Sequence, residues 1–481
     1  MDLVMALTRI IATVGPSLSK QSTLLSLIKS GVDVFRFNLK FNDHQWHSEH
    51  IEKIRKASEK AGTPVAILLD LQGSEVRLGN IPGEKRKVKK GQRISFVEEK
   101  SFDSYQDCIP ISDCFFQSEI KKGQTFFIDE GRIRFKILEK RQNTITGEVL
   151  EGGIIKSRKG INFPDVEVSF PSLLAKDIKD ISLATKHEID YLALSFVRKR
   201  KDIELLKEQL KKLSLRPKIL AKIETSQALD DFENILDASN GIMIARGDLG
   251  VEIPLEQVPY YQKKIIEKCI EAGKPVITAT QMLDSMSDSP FPTRAEVSDV
   301  ANAVLDYTDA VMLSKETAIG KHPLKTVAVA ERICRFWEQK RNPPDNFQYE
   351  LNHQTASVCF SAYKLWRSPF CQKEKVKAFV AVTRSGLTAQ MLSRLRPNLP
   401  IIGMTNDSKV RNQLCLLYGV SPIFIKNPDI YKKRSAKDIS RILSKVKEYG
   451  FAKKGEKVIM LYAEDWKTEG KTNIVRIQEI P

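Results

Sequence analysis

The sequence predicts an α/β protein: a (β/α)8 TIM barrel, an inserted small β-barrel domain, and a C-terminal open α/β domain. Three observations carry this. Apolar, β-rich runs near residues 10, 35, 67, 193, 220, 244, 278 and 311 alternate with helical spans, which gives eight β/α units. The runs are continuous rather than alternating, as in parallel strands buried on both faces. After the third run the helical period disappears, and it returns only beyond residue 166.

In order, Leu7–Gly15 reads as the first strand, closing on Gly15-Pro16-Ser17, and Lys20–Ser30 as a helix. Asp33–Leu39 and His47–Ala61 form the second unit, and Pro64–Leu71 is the third strand. Each strand ends in polar residues: Thr13, then Arg36 and Asn38, then Asp70, Glu75 and Arg77. From Gly79–Asn80 onward, short β runs (ISFVEE, FFIDEG, RIRFKIL, TITGEVLEGG) with glycine-marked turns predict an all-β module. Its basic run Lys85–Lys90 reads as a solvated turn, and Lys156–Gly160 as a surface stretch within reach of a phosphate.

Alternation resumes with helix Ala175–Lys186, strand Asp190–Val197 and helix Arg200–Leu213. After Lys218–Gly250 come helix Tyr260–Ala272, strand Pro275–Gln281, helix Arg294–Leu305, strand Asp309–Ser314 and a helix from Pro323. Asn342-Pro343-Pro344-Asp345 reads as a linker. Beyond it, helices Thr355–Trp366, Ala389–Arg396 and Ala436–Tyr449 alternate with strands Lys377–Val382, Pro400–Met404, Ser421–Ile425 and Lys457–Tyr462. The expected divisions are 1–79 and 167–342 for the barrel, 80–166 for the module and 343–481 for the last domain.

Composition narrows the class. Seven cysteines, odd in number and without CxxC pairs, argue against a disulfide framework or a zinc site and for a reducing, cytoplasmic setting. No apolar stretch is long enough to span a membrane. The net charge of +17 is high, but Lys and Arg are dispersed rather than clustered with aromatics. That pattern favours small phosphorylated anions over nucleic acid.

The chemistry concentrates in Lys218–Gly250, KILAKIETSQALDDFENILDASNGIMIARGDLG. Two apolar strands end abruptly in charge, Lys222 and Glu224 on the first, Arg246 and Asp248 on the second. Lys222 and Glu224 are two apart and share one side of an extended strand. Glu224 and Asp248 then converge from neighbouring strand ends, an arrangement suited to Mg²⁺ held by carboxylates and substrate oxygens. An ammonium beside that ion suits charge on a phosphoryl group in transfer. A structural Lys–Glu pair capping a strand is the plainer alternative.

The segments IATVGPS, LLDLQGSEVR, AKIETSQAL, GIMIARGDLGVEIP, ITATQMLDSM, PTRAEVSDVANAV and MLSKETAIG, in this order and spacing, resemble the pyruvate kinase family. The resemblance covers essentially the whole chain. It implies transfer of the phosphoryl group of phosphoenolpyruvate to ADP, then protonation of the enolpyruvate. Lys222 resembles the lysine that stabilises the phosphoryl in flight, and Glu224 and Asp248 resemble the ligands of Mg²⁺ (or Mn²⁺). The Gly247 and Asp248 backbone matches the holder of the substrate carboxylate, and Thr280 matches the threonine near the protonated carbon. Arg36 and Arg77 match the arginines around the phosphates, Lys159 the module's phosphate-reaching lysine, and Thr13, Pro16 and Asn38 line the nucleotide region. Thr383, Ser385, Gly386 and Thr388 resemble an effector phosphate loop, implying a sugar-phosphate or nucleotide effector of open identity. Family members are commonly homotetramers.

The departures cluster near the site. Asn38, Asp70 and the Leu71 carbonyl resemble K⁺ ligands, but Lys40 replaces the serine ligand. One reading folds the Lys40 ammonium toward Asp70 and Glu75 in place of K⁺; the other swings it into solvent. The first reading is the expectation, and retained Glu75, which the family pairs with K⁺ dependence, is the argument against it. Phe41 replaces a histidine near the nucleotide base, Gln72 and Ser74 alter the third-strand motif, Asp129-Glu130-Gly131 replaces a double-aspartate turn, and Lys315 replaces a glycine. Ala463–Asn473 departs from the family's glycine-rich loop. Two rival functions stand beside the kinase: a Mg²⁺-dependent barrel lyase or aldolase, and a weakly active regulatory paralogue.

Overall fold

The computed structural model describes residues 5–104, 107–111, 120–129, 131–164, 171–344, 347–426, 436–464 and 470–481. Glu130, Asp345 and residues 465–469 of the altered C-terminal loop lie outside the described residues.

Eight parallel strands close into a barrel. They are β1 (Arg9–Thr13), β2 (Val32–Asn38) and β3 (Ala66–Asp70), then, after the nine strands of the module, β13 (Tyr191–Leu194), β14 (Lys218–Ile223), β15 (Gly241–Ala245), β16 (Val276–Ala279) and β17 (Ala310–Leu313). The order around the barrel is β1-β17-β16-β15-β14-β13-β3-β2. The continuous apolar runs are explained by burial on two sides. Ile10 and Ala12 pack outward with the helices, whereas Ile11, Val34, Leu68, Leu220 and Met243 fill the interior. Successive strand residues point to opposite faces, so a strand buried on both must be apolar at every position.

The module comprises β4 (Val76–Arg77), β5 (Lys85–Val88), β6 (Arg93–Glu98), β7 (Cys108–Ile111), β8 (Thr125–Ile128), β9 (Ile133–Arg141), β10 (Thr144–Glu151), β11 (Gly153–Lys156) and β12 (Gly160–Asn162). Seven of them form a sheet in the order β4-β12-β8-β9-β10-β6-β7. A bridge between Leu78 and Ile111, and the Gly79 N–H on the Pro110 carbonyl at 2.8 Å, join its two ends, giving barrel-like closure around Phe96, Phe126 and Phe135. The sheet starts at Val76, immediately after the residues that face the barrel cleft.

Some local expectations are corrected. Lys85–Lys90 is a solvated turn only at Lys89 and Lys90: Lys85–Val88 is β5, paired with β11. Its alternating exposure keeps Lys85 and Lys87 in water while Val88 is buried. Ala175–Lys186 is two helices, Ala175–Ile181 and Leu183–Lys186, meeting at Ser182. Helix Ala389–Arg396 runs instead from Leu387 to Ser393, and Arg396 is left-handed at φ 49°.

The C-terminal sheet runs β20 (Val420–Phe424), β19 (Ile401–Thr405), β18 (Phe379–Val382), β21 (Lys457–Tyr462), β22 (Ile474–Glu479). The antiparallel edge strand β22 is an addition to the expected elements. Cys415 and Leu416 of this domain enter the interior layer of the barrel, beside Tyr191 and Ala310. Tyr191 donates its hydroxyl to the Gln413 carbonyl at 2.5 Å, and Arg9 donates to the Leu417 and Val420 carbonyls at 2.9 and 2.7 Å. The amino-terminal end of the barrel is thereby plugged, which leaves the carboxyl end as the open one.

Candidate active site

Lys222 lies on the last turn of pleat in β14 and Glu224 directly follows that strand. The i, i+2 spacing brings the Lys222 Nζ to 2.8 Å from Glu224 Oε1. The same ammonium donates to Ser195 Oγ at 2.7 Å and lies 3.2 Å from Asp70 Oδ1. Burial acts to lower the Lys222 pKa, but the Asp70 and Glu224 carboxylates outweigh it and the net shift is upward. Lys222 is therefore a permanent cation. Asp70, at the end of β3, takes Arg36 on its other oxygen, with Nε at 2.8 Å and the second nitrogen at 2.6 Å. Burial alone would raise Asp70, and Lys222 and Arg36 together hold it below the ordinary value.

Arg36 continues to the Thr13 hydroxyl at 3.0 Å, and that hydroxyl donates to the Leu313 carbonyl at 2.8 Å. Strand ends β1, β2, β3, β13 and β14 are thus linked through Thr13, Arg36, Asp70, Ser195 and Lys222. Pro16 opens the one-turn helix Pro16–Leu18 just beyond β1. Asn38 ends β2 and its side-chain oxygen accepts the Lys40 N–H at 3.1 Å.

Asp248 sits in the helix Arg246–Glu252 that starts where β15 stops. Burial pushes the Glu224 carboxyl up; Lys222 opposes this, and the Asp248 carboxylate adds to the rise, which reaches about 7. A buried carboxylate and a half-buried one that disfavour one another in this way are short of positive charge, and their hard oxygens fit a divalent cation such as Mg²⁺. Among the described residues no three His, Cys, Asp or Glu side chains could hold a metal by themselves, so substrate and water oxygens have to complete such a site.

Thr280 follows β16 with φ 68°, and Gln281 with φ 54°. Left-handed backbone at non-glycine residues costs on the order of 1–3 kcal/mol each and persists only where neighbours enforce it. Arg246 is the enforcer. It grips Asp299 through two bonds of 2.7 Å and donates to the Thr280 carbonyl at 2.7 Å and the Ala279 carbonyl at 3.2 Å. The Thr280 hydroxyl then meets the Gly247 N–H at 2.8 Å. Gly247, Asp248 and Thr280 line one large cleft with Arg132, Ser314 and Lys315, between the module and the barrel. Lys315 is paired there with Asp284 at 2.6 Å.

The remaining expected residues divide. Arg77 lies with Nη2 2.5 Å from Glu75 Oε2 and its other nitrogen on the Arg158 carbonyl. Lys159 reaches Asp129 at 2.6 Å, within the module. The expected approach of Lys40 to Asp70 is replaced by an ion pair with Glu75 at 2.8 Å, because Arg36, Lys222 and Ser195 already surround Asp70. The Leu71 carbonyl accepts the Ser195 hydroxyl at 2.7 Å. In the C-terminal domain, Thr383, Ser385 and Thr388 border a small hollow with Gly470–Thr472. There the Thr383 hydroxyl accepts the Gly386 N–H at 3.0 Å, and Thr388 and Thr472 hydroxyls pair at 2.7 Å.

Sequence reasoning missed Ser195, Arg246 as a positioning group, and its partner Asp299. Ser195 was findable by the rule that found Asp70, since it is the first polar residue after β13. Asp299 lies mid-helix in Arg294–Leu305 and carries no local signal.

Comparison with known proteins agrees with this geometry. The model of the pyruvate kinase barrel domain matches residues 5–327, and that of the pyruvate kinase alpha/beta domain matches residues 369–478. The chain is 35% identical to a pyruvate kinase of Thermotoga maritima over 98% of its own length and 99% of that protein's. It is 36% identical to one of Thermococcus litoralis, covering 98% of both. A crystal structure of a pyruvate kinase from Cryptosporidium parvum superposes with a TM-score of 0.90 at 33% identity, covering 99% of this chain and 96% of that one. With both domains matched and the whole length aligned, the chain belongs to the pyruvate kinase family.

Proposed function

We infer that the chain transfers the phosphoryl group of phosphoenolpyruvate to ADP, giving pyruvate and ATP, and that Lys222 is the residue on which the transfer depends. The observation that carries this is the Lys222 ammonium, fully charged and held by Asp70, Glu224 and Ser195 at the open end of the barrel. Phosphoryl transfer asks little of a protein beyond positioned positive charge, and Lys222 and Arg36 supply it without any reorganisation. Glu224 and Asp248 hold the divalent ion, Mg²⁺ or Mn²⁺, which when bound neutralises phosphate and carboxylate oxygens of the substrate. Gly247 and Asp248 present N–H groups at a helix start to the substrate carboxylate. Thr280, fixed by Arg246, faces the carbon that is protonated, and the proton arrives through water.

On the nucleotide side, Thr13, Pro16, Asn38 and Arg77 line the approach, and Lys159 is the module's phosphate-reaching group. The effector loop of Thr383, Ser385, Gly386 and Thr388 receives a phosphorylated effector. We place the working form as a cytoplasmic homotetramer; no described helix is long and apolar enough to cross a membrane.

The test is a coupled assay for pyruvate from phosphoenolpyruvate, ADP and Mg²⁺. Turnover that needs all three and disappears in Lys222→Met is expected. Consumption of phosphoenolpyruvate without ADP would point to the lyase reading, and folded but inactive protein to a regulatory one.

A further inference from the structure

The oxygens that a monovalent cation would need each accept a hydrogen bond or ion pair within the protein. The Asn38 side-chain oxygen accepts the Lys40 N–H at 3.1 Å, and the Leu71 carbonyl accepts Ser195 at 2.7 Å. Asp70 carries Arg36 on one oxygen and Lys222 and Ser195 on the other. The fourth residue brings an ammonium instead of a hydroxyl, and that ammonium lies on Glu75. That donor set does not fit K⁺: one of its four members brings a cation in place of an oxygen, and the Asp70 carboxylate is already neutralised by Arg36 and Lys222.

The turn that presents Lys40 is itself fastened. The Leu39 N–H donates to the Asp70 carbonyl at 3.0 Å, the Leu39 carbonyl accepts Lys176, and the Phe41 carbonyl accepts a His47 ring nitrogen at 2.9 Å. The side chain is half-buried and ends 2.8 Å from Glu75 Oε2, which it shares with Arg77. It does not swing into solvent. Glu75 in turn lies close against Gly160 of β12, where a Cβ would meet its other oxygen.

Charge explains what the ammonium is for. Asp70, Glu75, Glu224 and Asp248 are matched by Arg36, Lys40, Arg77 and Lys222. Lys40 and Arg77 are the two cations on Glu75, so without Lys40 that carboxylate keeps only one, near the place where an anionic substrate must arrive. We propose that the Lys40 ammonium is a built-in replacement for the monovalent cation, so that the chain needs a divalent ion but no K⁺. The proposal rests on the reaction assigned above, and it adds Lys40 as a residue that positions and neutralises rather than reacts.

The experiment compares the parental protein with Lys40→Ser and Lys40→Met in KCl and in tetramethylammonium chloride at one ionic strength. Parental activity should differ by less than twofold between the salts. Lys40→Ser, which restores a hydroxyl oxygen and removes the charge, should lose at least tenfold in tetramethylammonium and recover in KCl; Lys40→Met should lose activity in both. A melting temperature read in the same salts is independent of turnover: K⁺ should raise it for Lys40→Ser and leave the parental protein unchanged. Strong activation of the parental protein by K⁺, or a K⁺-dependent rise in its melting temperature, would overturn the proposal. Absence of turnover in every salt would count against the reaction, while the melting comparison would still decide the role of Lys40.

Discussion

The two ends of the barrel both bury ion pairs, and they use them differently. At the amino-terminal end, Arg396 is 1% exposed and pairs with a single carboxylate, that of Asp309. Its nitrogens reach Asp309 at 2.6 Å and the Tyr307 and Ser393 carbonyls at 3.0 and 2.9 Å, while Asp309 also accepts the Tyr418 and Val276 N–H groups. At the carboxyl end, Glu224 and Asp248 repel each other, Lys222 is shared by two carboxylates, and Glu75 is shared by two cations. A buried pair with all its lone pairs satisfied holds a structure together. A crowded cluster with unequal partners is poised to accept a ligand.

The largest expected contrast is between Arg396→Met and Lys222→Met. Removing Arg396 strands Asp309 in the domain interface and should cost about 3–5 kcal/mol in denaturant unfolding. Lys222→Met should lose about 10³-fold or more in kcat with a smaller loss of stability, because Glu224 can take up a proton at the cleft. Equal destabilisation by the two would erase the distinction between the ends. Asp299→Ala comes next. It touches no substrate, but releasing Arg246 lets the left-handed Thr280 relax, and a displacement of that kind costs up to about 10²-fold. The fall should appear in kcat more than in KM; an unchanged kcat would mean that the strained turn holds itself.

The smallest effect is one of pH. With the Glu224 carboxyl raised to about 7, a proton competes with the divalent ion well above the range of an ordinary glutamate. The apparent affinity for Mg²⁺, titrated through activity or by calorimetry, should be constant above about pH 8 and weaken by at most about tenfold per pH unit below 7. An affinity flat down to pH 5 would place Glu224 with the fixed pairs of the other end.

Much of this was legible from local pattern. Eight apolar runs announced a barrel because a strand buried on both faces leaves no polar positions. Lys222 and Glu224 pointed to chemistry because a second strand end, with Arg246 and Asp248, carries charge beside them. Lys40 announced itself only against the family motif, as an ammonium in place of a hydroxyl. What local pattern left open was which partner each charge takes. Lys40 paired with Glu75, Arg246 held by Asp299 from another helix, and Leu416 sealing a barrel formed by earlier residues are all contacts between distant segments. The sequence by itself determined the strands, their burial and the inventory of charge at the open end, because periodicity and side-chain chemistry act over a few residues. Only the tertiary structure decided the pairing, because each ion pair depends on which oxygens neighbouring strands have already occupied.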